Sequence, residues 1–508
     1  MREHKFKIFL FLILLLGLGV RLFAIRNNYF YFTMDQGRDA VYVRDILHGH
    51  HTLLGPHASI KGIFTGPLWF YFLSIGFLLS GGHPAAGPIL LIITQLATIA
   101  GLAFVLRKTF GENRSPLVAL LVIISPSFFE ASIYAFNPFL LPILTLISIL
   151  ALIKVNKNNL YFLLANFAAG MVIHAQIASL LPLALTTVIY GIYLVYKKKL
   201  DWEYFVFGLI FLGLPFIPHL ISELQTDFSQ LKSGINAFQN HETGLQIASG
   251  NELNQFLSVG KIHLELIGKT LVPSHTLLGL SFAIISTASY LKLKLNKNDF
   301  VKKLIILTST LTLFSWIWFS LSTGLNDWHL LGLPTLFLLT FCLITLNLPH
   351  KIATALFSLL LFVQIIGLMQ RIVALESEHD DQSMLNSELA AIDWIYAENQ
   401  NKSFEVYSYL PSVKDYPYQY LFWWRGRKKY NYLPCKYAAD PLGSNSYVPH
   451  AYKYQQASRK CSGIVYLIIE PALQQSLQDN WYKRVSKNTQ LVNSARIGKI
   501  KLEKRKRN

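Results

Sequence analysis

Phe30-Tyr31-Phe32-Thr33-Met34-Asp35-Gln36-Gly37-Arg38-Asp39 follows the first long apolar run of the chain, and Gly66-Pro67-Leu68-Trp69-Phe70-Tyr71 leads into the second. Between them stand Asp45, His48, His50, His51, His57 and Lys61. Ionisable groups crowded against membrane-length apolar segments are costly. In a multi-span chain they are functional candidates by default.

The surrounding composition supplies the membrane. Of 508 residues, 52% are hydrophobic and only 15% charged, with a mean hydropathy of +0.37. A soluble globular domain carries roughly 25% charged residues, so that class is excluded. Runs able to cross ~30 Å of hydrocarbon are expected at 6–25, 66–80, 88–106, 115–132, 136–153, 160–176, 178–196, 203–221, 271–290, 303–320, 329–347 and 351–370. The residues before the first run could serve as a signal-peptide n-region. No small-residue cleavage site follows, so the run is read as a retained helix.

The net charge of +18 does not point to nucleic acid, because the basic residues gather in short loops. Arg107-Lys108 with Arg114, Lys154 with Lys157, Lys197-Lys198-Lys199 and the run from Lys292 to Lys303 all mark cytoplasmic connections by the positive-inside rule. That places the N-terminus in the cytoplasm, and 27–65, 222–270 and everything after Leu368 outside. One parity conflict remains: an odd number of crossings must link Gly66 to Arg107, yet two apolar runs lie between them. Either one run is re-entrant or interfacial, or a boundary is misjudged. The expected fold class is an all-α polytopic membrane protein of 11–13 transmembrane helices with a small C-terminal α/β domain.

The expected division is a membrane domain at 1–371, with outer loops at 27–65 and 222–270, and an extracytoplasmic domain at 372–508. Loop 222–270 should hold short interfacial helices. In the tail, Leu385, Leu389, Ile392 and Ile395 fall on one side of a helix over 383–399, while 404–410 and 464–469 read as strands. The aromatic run from Tyr416 to Trp424, with Tyr430 and Tyr432, suits a carbohydrate-facing or interfacial surface, or the packing of a small core. The basic end, with Lys499, Lys501 and Lys504-Arg505-Lys506-Arg507, reads as a solvated tail or a contact for anionic headgroups. Cys342 falls in a span as a small core residue. Cys435 and Cys461 share the outer domain, where an oxidising compartment permits a disulfide. No internal repeat, metal-spaced cluster, P-loop or dinucleotide fingerprint occurs in the sequence.

Over 35–48 the first outer loop can form an interfacial helix with Asp35, Arg38, Asp39, Tyr42 and Asp45 along one face. Such a helix could be a merely solvated amphipathic surface. Its place just past the first span, followed by His57 and Lys61, suits a lipid-linked phosphate instead. A carboxylate there can take a proton from an attacking hydroxyl, and cations can stabilise a departing phosphate. Asp35 and Asp39 are also the candidate ligands of a divalent metal ion, although two acids four residues apart on a helix are a weak metal signal. Topology brings His174 and Gln176, and Asp327 and His329, to the same side as Asp35. Glu130 stands near a span end without an assigned partner.

The order of first span, Asp35-x-x-Arg38, amphipathic helix, Gly55-Pro56 turn and Pro67-Leu68-Trp69-Phe70 lead-in resembles the GT-C glycosyltransferases. More narrowly, it resembles the branch with protein O-mannosyltransferases and lipid A aminoarabinose transferases. The likeness covers nearly the whole chain, but only the first loop is motif-specific. It implies a polyprenyl-phosphate sugar donor and a glycan, lipid or protein acceptor at the outer face of a prokaryotic plasma membrane. It makes Asp35 the counterpart of the catalytic carboxylate and Arg38 that of a phosphate-contacting arginine. The second acid and the lysine of many relatives are absent, since Gln36 and Thr65 stand there. Asp39 is then the nearest substitute acid, and Lys61 or His57 the substitute cation. Tyr134-Ala135-Phe136-Asn137 matches a later motif without its charge. Two rivals stay open: a flippase of lipid-linked sugars, and a polymerase or ligase of diphosphate-linked chains using His241, Lys261 and His263.

Overall fold

The computed structural model describes residues 2–58, 60–239, 252–292, 298–321, 325–399, 402–412, 414–441, 447–454 and 461–508. His241 lies outside them. The chain opens with α1 (Arg2–Ala24), α2 (Met34–Leu47), α3 (Leu68–Ser80) and α4 (Ala86–Ile124).

Helix α3 resolves the parity conflict. Its 13 residues span ~20 Å at 1.5 Å per residue, short of the ~30 Å of hydrocarbon. At its far end the carbonyls of Gly82 and Gly81 accept hydrogen bonds from Tyr420 Oη (2.6 Å) and Trp424 Nε1 (3.1 Å) of the C-terminal domain. Its near end packs beside α2, which rests on the same domain. Both ends of α3 lie on one face, so the expected span at 66–80 is not a crossing.

Helix α4 is broken at Gly111, where φ is 81° and ψ 175°, a backbone conformation open to glycine. It therefore turns back as two limbs. At that break Arg107 pairs with Glu112 (2.5 Å) and reaches Glu3 of α1 (3.8 Å), which fixes the turn on the face of the N-terminus.

Seven helices are long and apolar enough to cross a membrane. Among the described residues the bent pair Leu253–Leu271 with Thr276–Lys292 makes eight if it is one span, and Leu160–His174 and Gly332–Leu346 are, like α3, shorter apolar helices. The bent pair turns by 85°. Its first limb meets one level of the Asp299–Leu321 helix, through Phe256 O to Trp316 Nε1 (2.8 Å) and His263 Nε2 to Ser315 Oγ (3.0 Å), so it runs along the surface. The second loop holds the helix Ser229–Gln239 of 11 residues and the helix Glu252–Leu271 of 20, the latter longer than the short helices expected there.

The tail forms a five-stranded sheet ordered β2-β1-β3-β5-β4, from β1 (Glu405–Tyr409), β2 (Lys436–Ala438), β3 (Ile464–Ile469), β4 (Thr489–Ile497) and β5 (Ile500–Arg507). Strand β1 runs parallel to β2 and β3, while β5 is antiparallel to β3 and β4. The basic terminus is thus an inner strand and not a solvated tail. Ile500 and Leu502 are fully buried. The flanking cations find acids: Lys501 and Arg505 on Glu503 (both 2.7 Å), Arg507 on Glu405 (2.5 Å). The aromatic run is helix Tyr416–Arg425, with Tyr418, Tyr420, Leu421 and Phe422 buried, so it packs a core.

Cys435 and Cys461 are joined as a disulfide 26 residues apart. A loop of that length confers about 3–4 kcal/mol in the chain-entropy account. Cys461→Ser should therefore lower the unfolding midpoint of the C-terminal domain, measured by tryptophan fluorescence. A midpoint equal to wild type under oxidising conditions would contradict this.

Candidate functional site

The segment before α2 is stitched to the tail. Phe32 N donates to Ser383 O (2.8 Å) and Leu385 N to Phe30 O (3.0 Å). Gln36 then closes the helix start, accepting from Thr33 N (2.9 Å) and Thr33 Oγ1 (2.6 Å) while its Nε2 donates to Ala135 O (2.7 Å). Such reciprocal capping holds the first turn rigidly. On that turn Arg38 donates from Nη1 to Asp35 Oδ1 (2.8 Å), and from Nε and Nη2 to Asp39 Oδ1 (2.9 and 2.7 Å). Trp69 Nε1 donates to Asp39 Oδ2 (2.6 Å).

Burial divides the two acids. Asp39 is 1% exposed, whereas the Asp35 side chain is 36% exposed beside an Arg38 side chain at 7%. Asp39 is therefore an internal anchor that orients Arg38, and Asp35 is the carboxylate a substrate can reach. Burial would weaken the Arg38 cation, but Asp39 and Asp35 more than offset it and hold the guanidinium charged. Burial also pushes the Asp39 carboxyl up to about 6, against the pull of Arg38 and Trp69.

Folded Asp39 binds its proton more tightly than the unfolded group near 3.8, so its contribution to stability declines as pH rises from about 4 through 6. Protonation below about 6 also loosens its hold on Arg38. Activity should accordingly fall on the acid side with an inflection near that value. Asp39→Asn should show the low-pH rate throughout, without that inflection; an unchanged inflection would assign it to another group.

The other end of α2 is clasped by the tail. Asp45 Oδ2 meets His450 Nδ1 (2.9 Å), His50 stacks on His450 (4.0 Å), and Arg44 lies over the Tyr454 ring (3.6 Å). In the first turn, Gly37 abuts the backbone of Pro417, at the start of the Tyr416–Arg425 helix. The C-terminal domain is thus one wall of the site.

No family model and no curated protein matches the sequence. In three dimensions the chain is similar to ArnT from Cupriavidus metallidurans bound to undecaprenyl phosphate. The TM-score is 0.58 at 12% identity, over 97% of this chain and 97% of that one. The same protein in its apo state gives a TM-score of 0.59 at 12% identity over the same shares. The chain has the GT-C fold.

Within the GT-C fold the remaining candidates separate. His57 is exposed, with its ring 4.2 Å from Phe64 in a small hairpin. Desolvation lowers its pKa, and the charges of Arg38 and Lys414 lower it further, so it lies within electrostatic reach of the cluster. Lys61 is exposed on the same hairpin. Thr65 is buried, donating from Oγ1 to Pro56 O (3.1 Å). His174 is buried beside Gly66, where a β-carbon would lie 1.8 Å from its Nδ1, so it seats the lead-in to α3. Gln176 is buried as well. His329 is buried in a turn, its Nδ1 accepting from Asn326 N (3.2 Å) and its ring stacked on Phe319 (5.3 Å); Asp327 beside it is exposed. Among the described residues the contacts of the two histidines are with Gly66 for His174, and with Asn326 and Phe319 for His329.

Both Asp39 oxygens are taken by Arg38 and Trp69, and Arg38 stands between the two acids. As a ligand set for a divalent ion, Asp35 and Asp39 therefore do not fit. Glu405, Cys435 and Cys461 also approach one another, but the cysteines are joined and Glu405 is held by Tyr407 and Arg507. Glu130 does have a partner, Arg371 of the His350–Ser377 helix, in a two-pronged pair (2.8 and 2.9 Å). Trp69 was not legible as a partner of Asp39, because it arrives by tertiary approach.

Proposed function

We propose that the protein is a glycosyltransferase that moves a sugar from a polyprenyl-phosphate-linked donor to an acceptor hydroxyl or amine. The donor enters laterally from lipid at the outer face of the plasma membrane, with the N-terminus cytoplasmic and the 372–508 domain outside. Membrane domain 1–371 holds the lipid, and the outer domain presses on the catalytic helix. The observation that carries the reading is the pairing of an open carboxylate, Asp35, with a buried and fixed arginine at the mouth of a GT-C fold. ArnT, solved with undecaprenyl phosphate, supports the donor class.

In this reading Asp35 accepts the proton of the acceptor as its oxygen or nitrogen attacks the anomeric carbon in line. The bond to the phosphate oxygen breaks with inversion, and the phosphate departs on the lipid. General-base assistance of this kind is worth roughly 10²–10⁴-fold. Arg38 meets the negative charge that develops on the leaving oxygen, as a cation already held in place.

The test is transfer in nanodiscs from a panel of labelled polyprenyl-phosphate hexoses and pentoses to envelope glycan, lipid and protein fractions. Label should move to one acceptor class while free polyprenyl phosphate accumulates. Intact donors across the panel, with protein that still binds undecaprenyl phosphate, would end the reading.

A further inference from the structure

Leu68, Ile75 and Leu79 recur along one side of α3, and the last two are 56 and 82% exposed. Trp69, Phe70, Leu73 and Phe77 are buried on its other side. The helix carries no charged residue. With both ends on one face of the membrane it makes no crossing, so the bare apolar stripe needs another cover. We infer that α3 lies at the lipid boundary with this stripe in the edge of the hydrocarbon, and that Arg427 and Lys428 of the C-terminal domain hold an anionic phospholipid headgroup beside its C-terminal end. The inference is independent of the reaction catalysed.

The chain itself sets the level of the membrane. Gly81 closes α3, and Ala86 opens α4, a helix of membrane length. Ile89 and Ile93 in the first turns of α4 are exposed, as a lipid-facing surface requires. The turn between the two helices therefore marks the hydrocarbon edge. Lys428 reaches that turn, where a β-carbon on Gly81 would lie 2.6 Å from its Nζ. The Trp424 ring, bonded to Gly81 O (3.1 Å), meets His83 edge-on (5.0 Å). Amphipathic rings of this kind are enriched at the membrane–water interface. The neighbouring charges are spent differently. Arg425 and Lys429 are neutralised by Asp393 (2.8 and 2.7 Å). Arg427 and Lys428 are exposed, and among the described residues no carboxylate stands within ion-pair distance of either. Arg427 lies instead 5.8 Å from the centre of the Trp423 ring. An apolar stripe, interfacial rings and two uncommitted cations at one level fit an anionic lipid surface. The Asp35 cluster is elsewhere: Trp69, which holds Asp39, is 12 residues from Gly81, about 18 Å of helix. The Tyr416–Arg425 helix links the two places, because Pro417 at its start abuts Gly37. A headgroup bound just past its end would brace the C-terminal domain on the membrane.

Native mass spectrometry of the full-length protein, with palmitoyl-oleoyl phosphatidylglycerol or phosphatidylcholine added to the detergent, reads the headgroup. Wild type should retain phosphatidylglycerol in preference to phosphatidylcholine. Arg427→Gln and Lys428→Gln should each weaken phosphatidylglycerol binding roughly fivefold, the scale of one basic residue at an anionic surface, and Lys428→Arg should keep it. Both changes fall on exposed side chains without ion-pair partners among the described residues, so the fold should persist. A nitroxide on Leu79→Cys, in nanodiscs of the same two lipids, reads the stripe; Cys342 is buried and the other cysteines are joined, so the label is single. It should be more accessible to oxygen than to a water-soluble nickel chelate. Equal retention of the two lipids by wild type, or undiminished phosphatidylglycerol binding by the double variant Arg427→Gln/Lys428→Gln, would overturn the headgroup site. A label more accessible to the nickel chelate would overturn the placement of α3. Displacement of phosphatidylglycerol by equimolar undecaprenyl phosphate would give the two cations to the donor and overturn the inference as well.

Discussion

Asp35→Asn is expected to reduce sugar transfer by at least ~10²-fold, the scale of a lost general base, with little change in folding. The side chain is 36% exposed and its single pairing is with Arg38. Arg38 keeps its contacts to Asp39, and Asp39 keeps Trp69, so the anchor survives. Removing an exposed partner of an ion pair commonly costs under 1 kcal/mol. The amide preserves shape but cannot accept the acceptor's proton. Steady-state transfer with purified, monodisperse protein separates the alternatives. A large fall in kcat with donor KM nearly unchanged fits a base; a rise in donor KM alone would make Asp35 a binding group. Transfer equal to wild type would falsify the catalytic assignment. Asp39→Ala differs in kind, because it strands a buried Arg38 and should lower both activity and stability.

What could be read beforehand follows from the range over which each signal acts. The apolar runs and the Asp35–Arg38 contact are local, the latter set by three-residue helical spacing, and they were legible. Helix α3 was not, because its 13 apolar residues read like a short span. Only the Tyr420 and Trp424 bonds to Gly82 and Gly81 reveal that both its ends share a face. Strand β5 was hidden by its lysines and arginines: Ile500 and Leu502 alternate inward, but the acids that neutralise its outward charges include Glu405 and Glu398, about a hundred residues away. His174 and His329 were drawn to the site by topology. Tertiary packing gave them other neighbours, Gly66 and Asn326.

Gly37→Ala is the second change with a large expected effect, and it tests whether the C-terminal domain positions α2. A β-carbon at Gly37 would lie 2.3 Å from Pro417 N, 2.6 Å from its Cα and 2.7 Å from its Cδ. Two of those atoms are backbone, so no rotamer change can make room. Either α2 or the Tyr416–Arg425 helix must move by roughly 1 Å to restore ordinary contact, and a 1 Å misplacement of catalytic groups can cost about 10²-fold in rate. The displaced helix carries Asp35 and Arg38 next door, while its far end stays tied through Asp45 and His450 (2.9 Å). The movement is then a tilt concentrated at the reactive turn. Transfer should drop about 10²-fold while the spans insert normally. Pro417→Ala should not rescue it, since the obstructing N and Cα remain. Gly19→Ala, at a position with nothing within 4 Å, serves as the control and should be neutral. Full activity in Gly37→Ala would mean that the domain yields at this contact, and that α2 is oriented from the membrane side through Gln36 and Trp69 alone.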